Sequence, residues 1–314
     1  MPRIALNPKS KLRPISLVFL GSLVILSYIC AFFFKPTHHH SAAPVAPRMQ
    51  KISSAHSRMS MGLSRPQEKV ALVELASVHE MTQAFDQTGF ELAKVAQGEG
   101  SVPRIYLAKL PGDLKGLPPK HKRDAFIKSI LPLVLQVNEE IRQDREKLIA
   151  LQDRLNKGLH LRAQDRVWLK HLSSEYRTRS YDIHVLLKHV DEIPPSLAIA
   201  QASIESGWGT SKAARNKNST FGHMATKTQV KAFKSLHANV KSYAKNLNTH
   251  GAYKGFREAR AQMRHGGGTL NGHKLAQTLV KYSVRGTAYT KELQGLIKKL
   301  DLPQFDGSHV RLKP

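Results

Sequence analysis

The sequence predicts a mostly helical protein carried behind one membrane-spanning helix. Three observations support that class. An uncharged run of 20 predominantly apolar residues, Ile15–Phe34, lies near the start. Apolar residues then recur at helical spacing over 68–96, 122–156, 163–176 and 181–190. Strand signals are scarce, limited to a short extended piece at Val102–Leu107, and no internal repeat is visible.

The first element is the apolar run. Twenty residues at ~1.5 Å each span a hydrocarbon core of ~30 Å, whereas a signal-peptide core is usually roughly 7–15 residues long. No small-residue cleavage site follows closely, and bulky Ile29 precedes Cys30 where a lipoprotein signal needs a small residue. Arg3, Lys9, Lys11 and Arg13 precede the span, so residues 1–14 are a cytoplasmic flank and the chain beyond Phe34 lies outside the cytosol. The reading is an uncleaved inner-membrane anchor, with a cleaved signal as the alternative.

Charge then narrows the partner. The 314 residues carry 49 Lys plus Arg against 23 Asp plus Glu, a formal net charge of +26. Such a surplus calls for a polyanion, and nucleic acid, anionic lipid and cell-wall polymer all qualify. The anchor puts the basic bulk on the wrong side of the membrane for chromosomal DNA. A single cysteine excludes disulfide scaffolds, zinc fingers and iron–sulfur sites.

Residues 35–66, rich in Pro, Ser, Ala and basic side chains, read as a flexible tether. Its His38-His39-His40 run is solvated linker, since adjacent imidazoles share no helix or strand face. His79-Glu80-Met81-Thr82-Gln83 begins like a zinc-protease helix, but Gln83 stands where the second histidine must be. A helical region follows over 67–178. Its long amphipathic helix, Lys122 to about Asn156, keeps Phe126, Ile130, Leu133, Val137, Ile141, Leu148, Leu151 and Leu155 on one face. Pro132 kinks that helix or marks its first turn. Trp168 and Leu172, one turn apart, are expected in the core.

The chemistry lies in residues 179–305, ahead of a tail at 306–314. Pro194-Pro195 opens a helix, and Leu197–Ile204 is apolar nearly all round, so that helix is predicted to be buried. Gln201 and Glu205 share one face at i and i+4, and Gly207 sits where a left-handed stop places Glu205 in the last turn. Burial and the negative helix end both disfavour the carboxylate and raise its pKa. A carboxyl group kept protonated is the proton donor that glycoside cleavage requires.

These residues also carry a resemblance. The run from Ala200 to Ser211 (AQASIESGWGTS), with Ala214-Arg215-Asn216, Asn218 and Phe221-Gly222, resembles the glucosaminidase domain of glycoside hydrolase family 73. Tyr243, Asn246 to His250, Ala252-Tyr253, Tyr282-Ser283, Arg285-Gly286 and Ala288-Tyr289 resemble more narrowly the Bax-type subgroup, membrane-associated proteins of Gram-negative bacteria. The resemblance covers about residues 68–305. It implies a two-lobed, lysozyme-like α+β domain with a small β lobe. Its substrate would be the β-1,4 bond of peptidoglycan at N-acetylglucosamine, with no cofactor or metal. Glu205 matches the general acid and Tyr282 a tyrosine beside it that orients or stabilises the reacting sugar. Gln201, Trp208, Asn218, Phe221 and Tyr243 match positions that line or support the groove.

One departure stands out. From Ser206 through Arg257 there is no Asp or Glu, and the short lobe from Met224 to about Leu236 lacks the family's second acid. Either the substrate's N-acetyl group acts as nucleophile, or an acid comes from afar, for example Glu258, or the domain binds glycan without cleaving it. Ser206–Arg264 holds 12 Lys plus Arg and one acid, which suits anionic peptidoglycan. Amide hydrolysis finds no support, because the cysteine is in the span and no metal-ligand set is visible.

Overall fold

A computed structural model of the chain describes residues 70–312. The basic flank, the Ile15–Phe34 span and the tether lie outside the described residues. Among the described residues no helix is long and apolar enough to cross a membrane.

The region expected to be helical over 68–96 starts instead with a strand. β1 (Leu72–Val73) pairs in parallel with β2 (Tyr106–Leu107), Leu72 opposite Tyr106 and Val73 opposite Leu107. Helix α1 (Val78–Asp86) begins only after Ser77, whose hydroxyl accepts from the Glu80 N–H, and α2 (Leu92–Ala96) is a short separate turn. β1 and β2 are the whole of the named sheet among the described residues, in line with a mostly helical class.

Helix α3 (Pro119–Asn156) runs unbroken for 38 residues, and Pro132 lies inside it rather than at its first turn. A proline there removes a helical hydrogen bond and clashes with the preceding turn, a cost of about 3 kcal/mol. Packing outweighs it, since Phe126, Ile130, Leu131, Leu133 and Val134 are all buried around it. The helix is therefore buried all round in this half and one-sided only later, through Ile141, Leu148 and Leu151, while Leu155 is 44% exposed. On α4 (Ala163–Glu175) Leu172 enters the core as expected. Trp168 stays at its edge beneath the Lys147 ammonium, 4.1 Å from the ring centre.

After α5 (Ile183–His189) comes α6 (Pro195–Ser206), around which the rest is arranged. It packs against α3, α10 (Gly272–Ala276), α11 (Thr287–Lys299) and the turn Leu302–Phe305. Leu197, Ala198, Ile199, Ala200 and Ala202 have no exposed surface. A helix enclosed this way cannot leave its first N–H groups to solvent, and Pro194 offers no cap. Asp306 supplies one from 110 residues away, accepting from the Ser196 N–H and hydroxyl, both at 2.8 Å. Burial pushes the Asp306 carboxyl up to about 6 despite those donors.

The segment leading into α6 is pinned by charge. Asp191 is 1% exposed and lies within 3.7 Å of Arg260, 3.5 Å of Arg145 and 2.8 Å of Arg264. Burial opposes its ionisation, yet the arginines hold it below the ordinary range. Arg260, fully buried on α9 (Lys254–His265), also donates to the carbonyls of Lys188, Asp191 and Glu192. Removing the central charge would leave buried guanidinium groups uncompensated. Asp191→Asn is therefore expected to cost about 3–5 kcal/mol, read as a lower denaturant midpoint at unchanged slope.

Candidate active site

Helix α6 ends in three successive left-handed residues, Gly207, Trp208 and Gly209, with φ of 57°, 59° and 77°. The Trp208 N–H returns to the Ser203 carbonyl (3.0 Å) and the Gly209 N–H to the Ser206 hydroxyl (2.8 Å), which closes the helix end. Gly209 is required for space as well as for φ. A Cβ there would lie 2.6 Å from Leu110 Cδ1 and 2.9 Å from Leu114 Cδ2. Trp208 packs edge-on against Phe126, ring centres 5.8 Å apart, and is partly buried.

This stop leaves Glu205 on the last turn, partly exposed, at the only end of the helix that opens outward. Gly222 passes directly behind it. A Cβ at Gly222 would lie 2.5 Å from Glu205 Oε2, and its φ of 66° is one that side chains rarely adopt. The segment is held there by Tyr282, whose hydroxyl donates to the Phe221 carbonyl at 2.9 Å. Phe221 is fully buried and stacked on Tyr243, ring centres 3.9 Å apart.

On its other side Glu205 ends a buried chain of hydrogen bonds. The Tyr243 hydroxyl donates to Gln201 Oε1 at 2.8 Å, and Gln201 Nε2 donates to the Tyr289 hydroxyl at 3.1 Å. Tyr289 in turn hydrogen-bonds the Glu205 carboxyl. Gln201, Tyr243 and Tyr289 are at most 1% exposed, and burial pushes the Tyr243 phenol well above its ordinary pKa. Each donor along the chain has its acceptor.

Burial raises the Glu205 pKa, only partly offset by the Tyr289 hydrogen bond and the charge of Arg285, and Glu292 adds to the rise. Arg285 and Glu292 form an ion pair at 2.5 Å, both about half-exposed, at the N-terminal end and second turn of α11. The distant carboxylate whose charge reaches Glu205 is thus Glu292. Glu258 instead sits exposed on α9, paired with Lys254 at 3.6 Å. In the lobe, Met224 and Val230 form one isolated antiparallel bridge. His223 there is neutral, held down at about 4 by burial and by Lys231. Among the described residues no cluster of three His, Cys, Asp or Glu could hold a metal ion.

The structure brings together Glu205, Gln201, Tyr282, Phe221 and Tyr243. Gln201, Phe221 and Tyr243 have no surface to offer a ligand and act as supports beneath the carboxyl. Tyr282 also supports, through the Phe221 carbonyl. Asn218, left-handed at the end of α7 (Lys212–Lys217), donates to the Phe233 carbonyl at 3.3 Å and so fastens the lobe. Sequence reasoning missed Tyr289, Gly222, Arg285 and Glu292 as individual site residues. The i,i+4 pairing of Gln201 with Glu205 was the available signal, since two polar groups on one face of a buried helix need a common partner.

A carboxyl group held toward its protonated form at the open end of a buried helix has the character that a proton donor for glycoside cleavage needs. The comparisons agree with that chemistry. The family described as mannosyl-glycoprotein endo-beta-N-acetylglucosaminidase matches residues 184–302. Protein bax of Escherichia coli (strain K12) is 35% identical over 188 residues, covering 55% of this chain and 67% of that protein. No solved structure matches. The chain belongs to the Bax-type proteins that carry a glucosaminidase domain.

The relay makes a direct prediction. Tyr289→Phe removes a donor to the Glu205 carboxylate, so the Glu205 pKa should rise further, as read by NMR titration of the labelled carboxyl. The same change leaves Gln201 Nε2 without its acceptor and should lower stability by roughly 1–3 kcal/mol.

Proposed function

We propose that the protein is a peptidoglycan hydrolase, an endo-β-N-acetylglucosaminidase that cleaves β-1,4 bonds of the wall glycan with Glu205 as general acid. The observation that carries this is the Glu205 carboxyl itself, its pKa raised by burial, at the partly exposed end of α6 beside exposed Gly222. Its proton passes to the glycosidic oxygen as the bond to the sugar's anomeric carbon breaks. The positive charge that develops on the sugar requires a compensating group. With a lobe free of acids, the substrate's N-acetyl oxygen is the nucleophile this arrangement favours. Glu292, paired with Arg285 and near enough to act on Glu205, is the carboxylate placed to face the resulting cation. Tyr282 contributes by holding the Phe221–Gly222 segment against the carboxyl. In this reading Ile15–Phe34 anchors the protein in the inner membrane and the catalytic domain works on the periplasmic side.

The variant Glu205→Gln tests the proposal. The amide keeps the volume but has no acidic proton, so activity should fall at least 10²–10⁴-fold, on the order of general acid catalysis. Stability behaves in the opposite sense. A carboxyl whose folded pKa is raised destabilises the fold as pH rises from the ordinary carboxylate range through the raised value. Glu205→Gln should therefore equal or exceed the wild type in stability on the alkaline side, where wild-type activity also declines. Normal cleavage by the variant in a zymogram would remove Glu205 from the chemistry. A wild type that sediments with sacculi but clears no band would make the domain a wall-binding module.

A further inference from the structure

The lobe beside the site carries charge that no carboxylate among the described residues answers. Lys212, Arg215 and Lys217 on α7, and Lys227, Lys231 and Lys234 beyond it, are all exposed. No Asp or Glu occurs from Ser206 through Arg257. The neighbouring helix α8 (Leu236–Thr249) is different: Lys241 pairs with Glu140 at 2.7 Å and Lys245 with Glu175 at 3.2 Å. None of the six lobe cations is in an ion pair among the described residues. Their positions are nonetheless built. The Phe233 N–H donates to the Lys217 carbonyl (2.9 Å), the Lys231 N–H to the His223 carbonyl (2.8 Å), and the Lys231 ammonium lies 5.0 Å from the Phe233 ring centre. The six therefore repel one another on an ordered surface that continues directly from Gly222, the residue against Glu205.

In peptide-bearing strands the glycan backbone cannot satisfy them, because its sugars are N-acetylated and its lactyl carboxyls are tied up in amide bonds to the peptides. The carboxylates of peptidoglycan lie on the short peptides attached to the lactyl group of alternate sugars. Lys227 is five residues beyond Gly222, at most about 18 Å along the chain, and an extended peptide of four or five residues reaches about as far. We propose that the lobe formed by Lys227, Lys231 and Lys234 with α7 is a subsite for stem-peptide carboxylates, so that the enzyme selects peptide-bearing strands over bare glycan. The inference rests on the proposed function and adds its specificity. Exposed charge pairs are individually weak, so selection should come from several together and be screened by salt.

The experiment compares the full chain with the triple variant Lys227→Gln, Lys231→Gln, Lys234→Gln on three substrates. These are peptide-bearing glycan, glycan freed of its peptides by an amidase, and neutral chitooligosaccharide. The expected result is that the wild type prefers peptide-bearing strands through KM, and that its kcat/KM ratio over the neutral oligosaccharide falls about tenfold in the variant or at 0.5 M salt. Equal wild-type activity on peptide-bearing and bare strands would overturn the proposal, as would an equal loss by the variant on all three substrates. So would a variant unchanged on glycan but impaired in binding phosphatidylglycerol vesicles, which would make the lobe a membrane-facing surface. Sedimentation with sacculi separates the two levels of the argument. Lysine-dependent binding to peptide-bearing sacculi without any cleavage would sink the hydrolase reading and leave the subsite standing.

Discussion

Everything at the site follows from enclosing α6 on all sides. A helix with no solvent-facing stripe has only its two ends through which to meet anything else, and each end of α6 is given a distinct treatment. The N-terminal end is sealed by Asp306 and by the loop that Asp191 and its arginines hold in place. Asn138 reinforces that seal from α3, exchanging hydrogen bonds with both backbone groups of Ile193 at 2.8 and 3.0 Å. The C-terminal end is left open, and one polar side chain is placed on it. The burial that stabilises the helix is the same burial that perturbs Glu205, so fold and chemistry share one cause.

Much of this was legible along the chain. A run of eight nearly all-apolar residues at helical length has no surface role, which made the burial of α6 readable from Leu197–Ile204. Gly207 after that run marked the stop, and the left-handed conformation found there agrees with it. The limits of such reading are equally physical. Local periodicity could not show that β1 would find a partner 34 residues away and take the start of the first helical region with it. Nor could helix propensity at Pro132 report the apolar neighbours that carry α3 straight through.

The aromatic residues teach a related lesson. A tyrosine or phenylalanine in a motif is equally suited to stacking on a ligand or on another ring, and only tertiary contacts decide. Phe221 and Tyr243 stack on each other, while Tyr282 spends its hydroxyl on a backbone carbonyl. Tyr289, 84 residues after Glu205, touches the carboxyl because α11 crosses α6, a packing relation that no spacing encodes.

The chain from Tyr243 through Gln201 to Tyr289 has one direction, and that direction restricts traffic at the carboxyl. Because Tyr289 points its hydrogen at Glu205, the oxygen it meets must be a lone-pair acceptor, and an acidic proton on Glu205 must ride on the other oxygen. Behind Tyr289 stand a buried amide and a buried phenol that release no protons near neutral pH. A carboxyl at this position that has given up its proton must recover it from its exposed side. Under the proposed acid role, recharging waits on water re-entering the space where a sugar has been, which would tie readiness for a second cut to the departure of the first product.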